Sequence, residues 1–297
     1  SMEHLYDKIE DIICYASLHK YQGRVLNVWA NEAHRLSECR TDISKTLKYK
    51  RIIADSATLS KDIKDRLAQL GNFHYFKLGL KSAIEKGIVA EPVIYTIGID
   101  VDNKIKRNPT KFGDKVISLT DTEYIEKIEK EFIYWKTRLV KNPKEKWILG
   151  RFNNMGTERK KFFAKCKMEA LKSLLKTLEN KRWVCFAGTT GQADELNLEH
   201  SVHSKRGKKH NVLTLERFNR KEISSIIFHK MGVEGLNLAD IQAVVLHQLS
   251  TGKDYGLFFT QASGRSYRSD APEVYVLYCK NTKDEDFLNL ALKNVDK

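Results

Sequence analysis

AVVLHQL, Ala243–Leu249, opens with four apolar residues in a row. A strand exposed on one face alternates apolar and polar residues, whereas a strand covered on both faces does not. Similar runs recur outward from it. SSIIFHK (Ser224–Lys230) and RWVCFAG (Arg182–Gly188) come before it, and EVYVLYC (Glu273–Cys279) follows. VIYTIGI (Val93–Ile99), RIIADSAT (Arg51–Thr58) and VLNVWA (Val25–Ala30) lie nearer the start. Helical patterns separate these runs. Thr122–Leu139 spaces Ile125, Ile128, Phe132 and Trp135 along one face. Glu158–Leu178 does the same with Phe163, Cys166, Ala170, Leu174 and Leu178, and leaves a lysine-rich opposite face. Strands alternating with helices predict an α/β fold on parallel sheets. The mixed segment LGLKSAIEKGIVAEP, residues 78–92, ends at Pro92 before a new strand. It predicts a first domain over residues 1–90 and a second over 91–297.

The chain has 297 residues, 41% hydrophobic and 30% charged, enough to fill a core. No apolar run approaches the ~18 residues of a membrane span. The opening SMEHLYDKIEDII lacks the pattern of a signal peptide. A soluble, cytoplasmic protein with no membrane partner is expected. Cys14, Cys39, Cys166, Cys185 and Cys279 are odd in number and form no CxxC pair, which argues against a disulfide framework or a zinc site. Cys185, inside an apolar run, reads as a small buried hydrophobe. His200 and His203 have a spacing that a metal pair can use, but no further Cys or acidic cluster completes a set, and a polar loop is expected there.

The formal net charge is +14 and it is concentrated. Lys141–Arg182 holds 13 Lys/Arg against 4 Asp/Glu, and His203–Lys221 holds 7 against 1. The rest of the chain is close to neutral. Clustered positive charge fits a phosphate-backbone partner, or a solvated basic face.

Four segments carry chemistry by their position and order. NEAHR, Asn31–Arg35, follows a strand directly, where carboxylates serve metal and phosphate chemistry, and Glu32 is its one acid. DSATLS, Asp55–Ser60, again ends a strand, where hydroxyls can bridge to a neighbouring loop or cap a helix. In MGVEGLNLADIQAVVLHQLS, Met231–Ser250, Gly232 and Gly235 permit close backbone approach to a phosphate or sugar. In QASGRSYR, Gln261–Arg268, Gly264 frees the backbone, and Arg265 and Arg268 lie three apart on one helical face. Two guanidinium groups so spaced can reach one phosphate chain.

In this order and spacing the segments resemble the superfamily 2 helicases, especially the phage and bacterial DEAH-type DNA repair and recombination helicases. NEAHR resembles motif II, Ser56–Thr58 motif III, VCFAGT (Val184–Thr189) motif IV, GVEGLNLAD (Gly232–Asp240) motif V and QASGRSYR motif VI. HSKRGKKHNVLTLERFN, His203–Asn219, resembles the segment after motif IV. The resemblance implies RecA-like parallel sheets, with a partial first motor domain followed by a complete second one. It implies ATP and Mg²⁺ as cofactors and nucleic acid, DNA rather than RNA, as partner. By position, Glu32 would polarise the attacking water. Arg265 and Arg268 would act as arginine fingers, with Gln261 beside them. Asn31, His34, Gly235, Asn237 and Gly264 would face the nucleotide. Ser56, Thr58, Thr189, Ser204, Lys205, Arg206, Lys208 and Lys209 would track nucleic acid.

Two departures temper the catalytic expectation. Asn31 stands where the family has its metal-holding Asp, and an amide oxygen is a poorer Mg²⁺ ligand, even through a water. No GxxxxGK[ST] phosphate loop occurs in the sequence. The chain alone is therefore expected to lack ATPase activity. A fragment, a split enzyme completed by a second polypeptide, and a non-catalytic binding remnant are the readings left open.

Overall fold

The computed structural model describes residues 20, 25–30, 38–45, 47–54, 61–76, 80–229, 238, 240–249, 262–264, 266 and 269–293. The chain divides into two compact units, Ser1–Lys77 and Leu78–Lys297.

In the first unit, strands β1 (Val25–Ala30) and β2 (Lys48–Ala54) pair in parallel. Helix α1 (Glu38–Lys45) lies between them in sequence, as a parallel pair requires a crossover. Helix α2 (Lys61–Ala68) follows. It places Ile63 and Leu67 one turn apart, and both bury against Ala54, Leu70 and Phe73.

The second unit opens with helix α3 (Leu80–Glu85) and strand β3 (Val93–Ile99). Its sheet also contains β6 (Trp183–Phe186), β7 (Ser201–Val202), β8 (Ser225–Phe228), β9 (Ala243–Leu246) and β10 (Glu273–Cys279). The order is β3-β10-β9-β6-β8-β7, with every neighbouring pair parallel. Successive side chains of a strand point to opposite faces. Val184, Phe186, Ile226, Phe228, Val244 and Leu246 therefore form one core. Trp183, Cys185, Ile227, Ala243 and Val245 form the other. Both faces are apolar, so the strands read as continuous apolar runs.

Helices close each face. Phe218 of α8 (Lys208–Asn219) and Leu288 and Ala291 of α9 (Lys283–Leu292) join the first core. Met168 and Leu171 of α6 (Met168–Thr177) and Ala193 of α7 (Thr190–Leu196) join the second. The expected α/β architecture is thus present, and Cys185 is fully buried as anticipated.

The crossover from β3 to β6 holds more than a covering helix. A hairpin of β4 (Asn108–Phe112) and β5 (Lys115–Leu119) comes first, turning at Gly113 with φ of 58°. Sequence reading missed it, although Gly-Asp between two short runs is a hairpin signal. Helix α4 (Asp121–Lys141) follows, opened by a capping box between Thr120 and Glu123. After the turn at residues 142–145, α5 (Lys146–Cys166) runs back along it. Tyr124 meets Phe162, Glu129 pairs with Arg159, Phe132 meets Phe152 and Trp135 meets Trp147, so the two helices are antiparallel.

One expectation needs correction. Glu158–Leu178 is not a single helix: α5 ends at Cys166 and α6 restarts at Met168. Lys167, at the break, lies four residues after Phe163 and four before Leu171, and shares their buried face. Its Nζ donates to Asp284 Oδ2 at 2.7 Å, Gln248 Oε1 at 2.9 Å and the Leu277 carbonyl at 3.2 Å. Asp284 also accepts from Gln248 Nε2 and the Cys279 amide. An ammonium has three donors, and all three are used. Beside it His247 donates from Nε2 to the Ala164 carbonyl at 2.8 Å. Burial, reinforced by the Lys167 charge, holds this imidazole down at about 3, so it is neutral.

Candidate nucleic-acid interface

All six strands of the larger sheet run the same way, so the loops after their carboxyl ends gather along one edge. Open parallel sheets bind ligands at that edge. Gly188 leaves β6 there. A Cβ at this position would lie 2.5 Å from Ala164 Cβ and 2.9 Å from Gln192 Oε1, so only glycine lets the strand end pass α5. Thr189 follows and its hydroxyl accepts from the Gln192 amide at 3.1 Å, capping α7. Thr189 thus has a structural task in addition to the phosphate contact expected of it.

The next loop is organised by Asp194, in α7. Asp194 Oδ1 accepts from Ser201 Oγ at 2.6 Å and from Arg206 Nη2 at 2.9 Å, and meets His203 Nε2 at 2.9 Å. Partial burial pushes this carboxyl up, but the hydrogen bonds from His203, Ser201 and Arg206 outweigh it and bring it down to about 2. Arg206 also donates to the Leu198 carbonyl, and Asn211 Nδ2 donates to the His203 carbonyl. These bonds pin the turn 203–207. His200 meets Ser225 Oγ through Nδ1, so the two histidines face different partners. Among the described residues no group of three His, Cys, Asp or Glu side chains is placed to hold a metal ion.

The pinned turn feeds α8, whose N-cap is Gly207 with no side-chain cap and no acidic residue in the first turn. The amino end of a helix attracts anions through its free N–H groups and its dipole. Around it Ser204, Lys205, Lys208 and Lys209 are exposed, and these three lysines form no ion pair among the described residues. Arg206 differs: its guanidinium is committed to Asp194 and positions the turn.

The rest of the basic character divides similarly. Lys167 is buried, Arg159 is paired with Glu129 over the Phe132 ring, and Arg182 donates to the Phe218 and Ile223 carbonyls. Three of the thirteen Lys/Arg in Lys141–Arg182 therefore hold the fold together. Asp194 was missed from the sequence, since its partners lie on a different element and only the fold brings them together.

At the far side of the motif set, Ala262, Ser263 and Ser266 are buried, with Ser266 Oγ donating to the Ser263 carbonyl, and Gly264 is half-buried between them. Asn31, Glu32, His34, Ser56, Thr58, Gly235, Asn237, Gln261, Arg265 and Arg268 lie outside the described residues. Of the residues expected to face ATP, Gly264 alone is among the described ones.

The sheet order and its covering helices are those of a RecA-like helicase C-terminal domain. More specifically, residues 166–270 match the helicase conserved C-terminal domain family. Among solved structures, Saccharomyces cerevisiae Dbp5 bound to RNA and ADP BeF3 is similar at 11% identity and a TM-score of 0.57. A point variant of Dbp5 in the same complex gives 11% and 0.58. Each match covers 92% of this chain and 57% of the Dbp5 chain, so this chain spans little more than half their length. The Pyrococcus furiosus Hef helicase domain is similar at 13% identity and a TM-score of 0.49, over 94% of this chain and 76% of that one. No curated protein matches the sequence. No helix among the described residues is long and apolar enough to cross a membrane.

Proposed function

We propose that this chain is a superfamily 2 helicase-like protein that acts on nucleic acid, DNA in particular, through its RecA-like C-terminal domain. The observation that carries the reading is the cluster of Lys205, Lys208 and Lys209 around the uncapped amino end of α8. A row of amides, a helix dipole and three open ammonium groups suit successive phosphates. Dbp5, whose fold the chain shares, is bound to RNA in its structures. The ATP roles of Glu32, Arg265 and Arg268 belong to the same reading, and Mg²⁺ and ATP would serve the complete enzyme. Without a phosphate loop in its sequence, this chain by itself is expected to turn over ATP negligibly.

The test is anisotropy of labelled DNA and RNA against the full chain at several salt concentrations. Affinity should fall steeply with salt. Replacing Lys205, Lys208 and Lys209 together by Ala should flatten the log–log slope by about 2–3. Binding that is absent at low salt, or indifferent to salt, refutes the nucleic-acid reading. Phosphate release stimulated by nucleic acid and abolished by Arg265→Ala would refute the absence of turnover.

A further inference from the structure

One end of the α4–α5 hairpin is anchored on the sheet. Ile125, Ile128, Phe162 and Phe163 pack with Cys279 of β10. Each helix has 21 residues, roughly 30 Å. The far end carries aromatic rings that find partners across the hairpin. Trp135 and Trp147 meet edge to face at 5.8 Å, and Tyr134 and Trp135 at 5.1 Å. The Arg138 guanidinium lies 5.8, 5.9 and 5.5 Å from the ring centroids of Tyr134, Trp135 and Trp147. Its Nη1 donates to the Tyr134 hydroxyl at 3.1 Å. Ring contacts across the hairpin account for Trp135. They do not account for Trp147 and Tyr134, which remain 53% and 52% exposed.

The charge around these rings is open as well. Residues 136–151 carry Lys136, Arg138, Lys141, Lys144, Lys146 and Arg151 against Glu145 alone. None of the six cations forms an ion pair among the described residues. Further along the same basic stretch, Arg159, Lys167, Lys172 and Lys181 all do. Exposed flat rings ringed by unneutralised cations match a polyanion that presents flat apolar faces. Single-stranded nucleic acid is that ligand, since a duplex hides its base faces within the stack.

We propose that the hairpin tip is a stacking platform for single-stranded nucleic acid. Trp147 and Tyr134 stack bases, Lys141, Lys144 and Lys146 meet backbone phosphates, and Arg138 is a positioning residue that orients the rings. The class of ligand rests on the function proposed above, but the surface is separate from the Lys205–Lys209 turn.

The experiment measures affinity of the full chain for a labelled single strand and for a duplex of equal length. Trp147→Ala should weaken single-strand binding by about 5- to 100-fold, with less effect on duplex. Trp147→Phe should restore most of it. Single strands should quench tryptophan emission, and Trp147→Ala should lose part of that quenching. Lys144→Glu with Lys146→Glu, both exposed and without an ion pair among the described residues, should weaken binding and lower its salt dependence with the fold intact. Unchanged single-strand affinity in Trp147→Ala and in the charge-reversed variant overturns the proposal. Equal losses for single strand and duplex, or loss of self-association with oligonucleotide affinity retained, also overturn it. If removing Lys205, Lys208 and Lys209 weakens binding while the tip variants do not, the proposed function stands and the platform falls. If the unaltered chain binds neither nucleic acid, both fall.

Discussion

Lys167→Met should be among the most damaging single changes in the second unit. The Lys167 and Asp284 side chains are 0% and 1% exposed, and the pair is closed at 2.7 Å. Removing the ammonium leaves the Asp284 carboxylate buried with, among the described residues, the Gln248 amide and the Cys279 N–H as its remaining donors. Breaking a buried pair from one side costs about 3–5 kcal/mol, because the remaining charge has no compensation. Lys283 and Asp286 make a contact of the same length, but their side chains are 56% and 54% exposed. Lys283→Met should therefore cost less than about 1 kcal/mol. Adding Asp284→Asn to Lys167→Met removes the orphaned charge and lets an amide meet Gln248 Oε1. The double variant should regain at least about 1 kcal/mol over the single one. Urea denaturation followed by circular dichroism is the assay, with the midpoint for Lys167→Met falling by more than about 1 M. The reasoning fails if Lys167→Met unfolds within about 1 kcal/mol of the unaltered chain, or if the double variant gains nothing.

Two further predictions concern the same region. His247 is depressed to about 3 in the folded chain, below its ordinary value near 6.5. The unfolded chain thus binds the extra proton first, so stability is complete above about pH 6.5 and is lost as pH falls towards 3, by up to about 1.4 kcal/mol per unit. Denaturation midpoints at pH 7.5 and 5 should differ less in His247→Gln, and an unchanged difference would exclude the imidazole as the cause. Gly188→Ala should destabilise by about 1–3 kcal/mol, because its methyl would meet the buried Ala164 at 2.5 Å. Gly150→Ala in α5 has open space and should be neutral or stabilising by up to about 1 kcal/mol, and thermal melts that rank the two the other way contradict the packing argument.

The parallel sheet was legible in the sequence because its strands are covered on both faces. That makes AVVL, SIIF and WVCF apolar throughout, a signal carried by consecutive residues. The basic stretches and the order of the motif-like segments were equally local signals. What the sequence did not settle is what each cation does. Lys167 and Lys144 belong to the same basic stretch, yet one is sealed against Asp284, 117 residues away, and the other is open to solvent. The α5–α6 break, the role of Asp194 as the organiser of the turn, and the aromatic end of the helical hairpin all depend on which distant elements meet. Periodicity reports burial along one element, but the partner of a buried charge is chosen by packing between elements, and that is decided only in the tertiary structure.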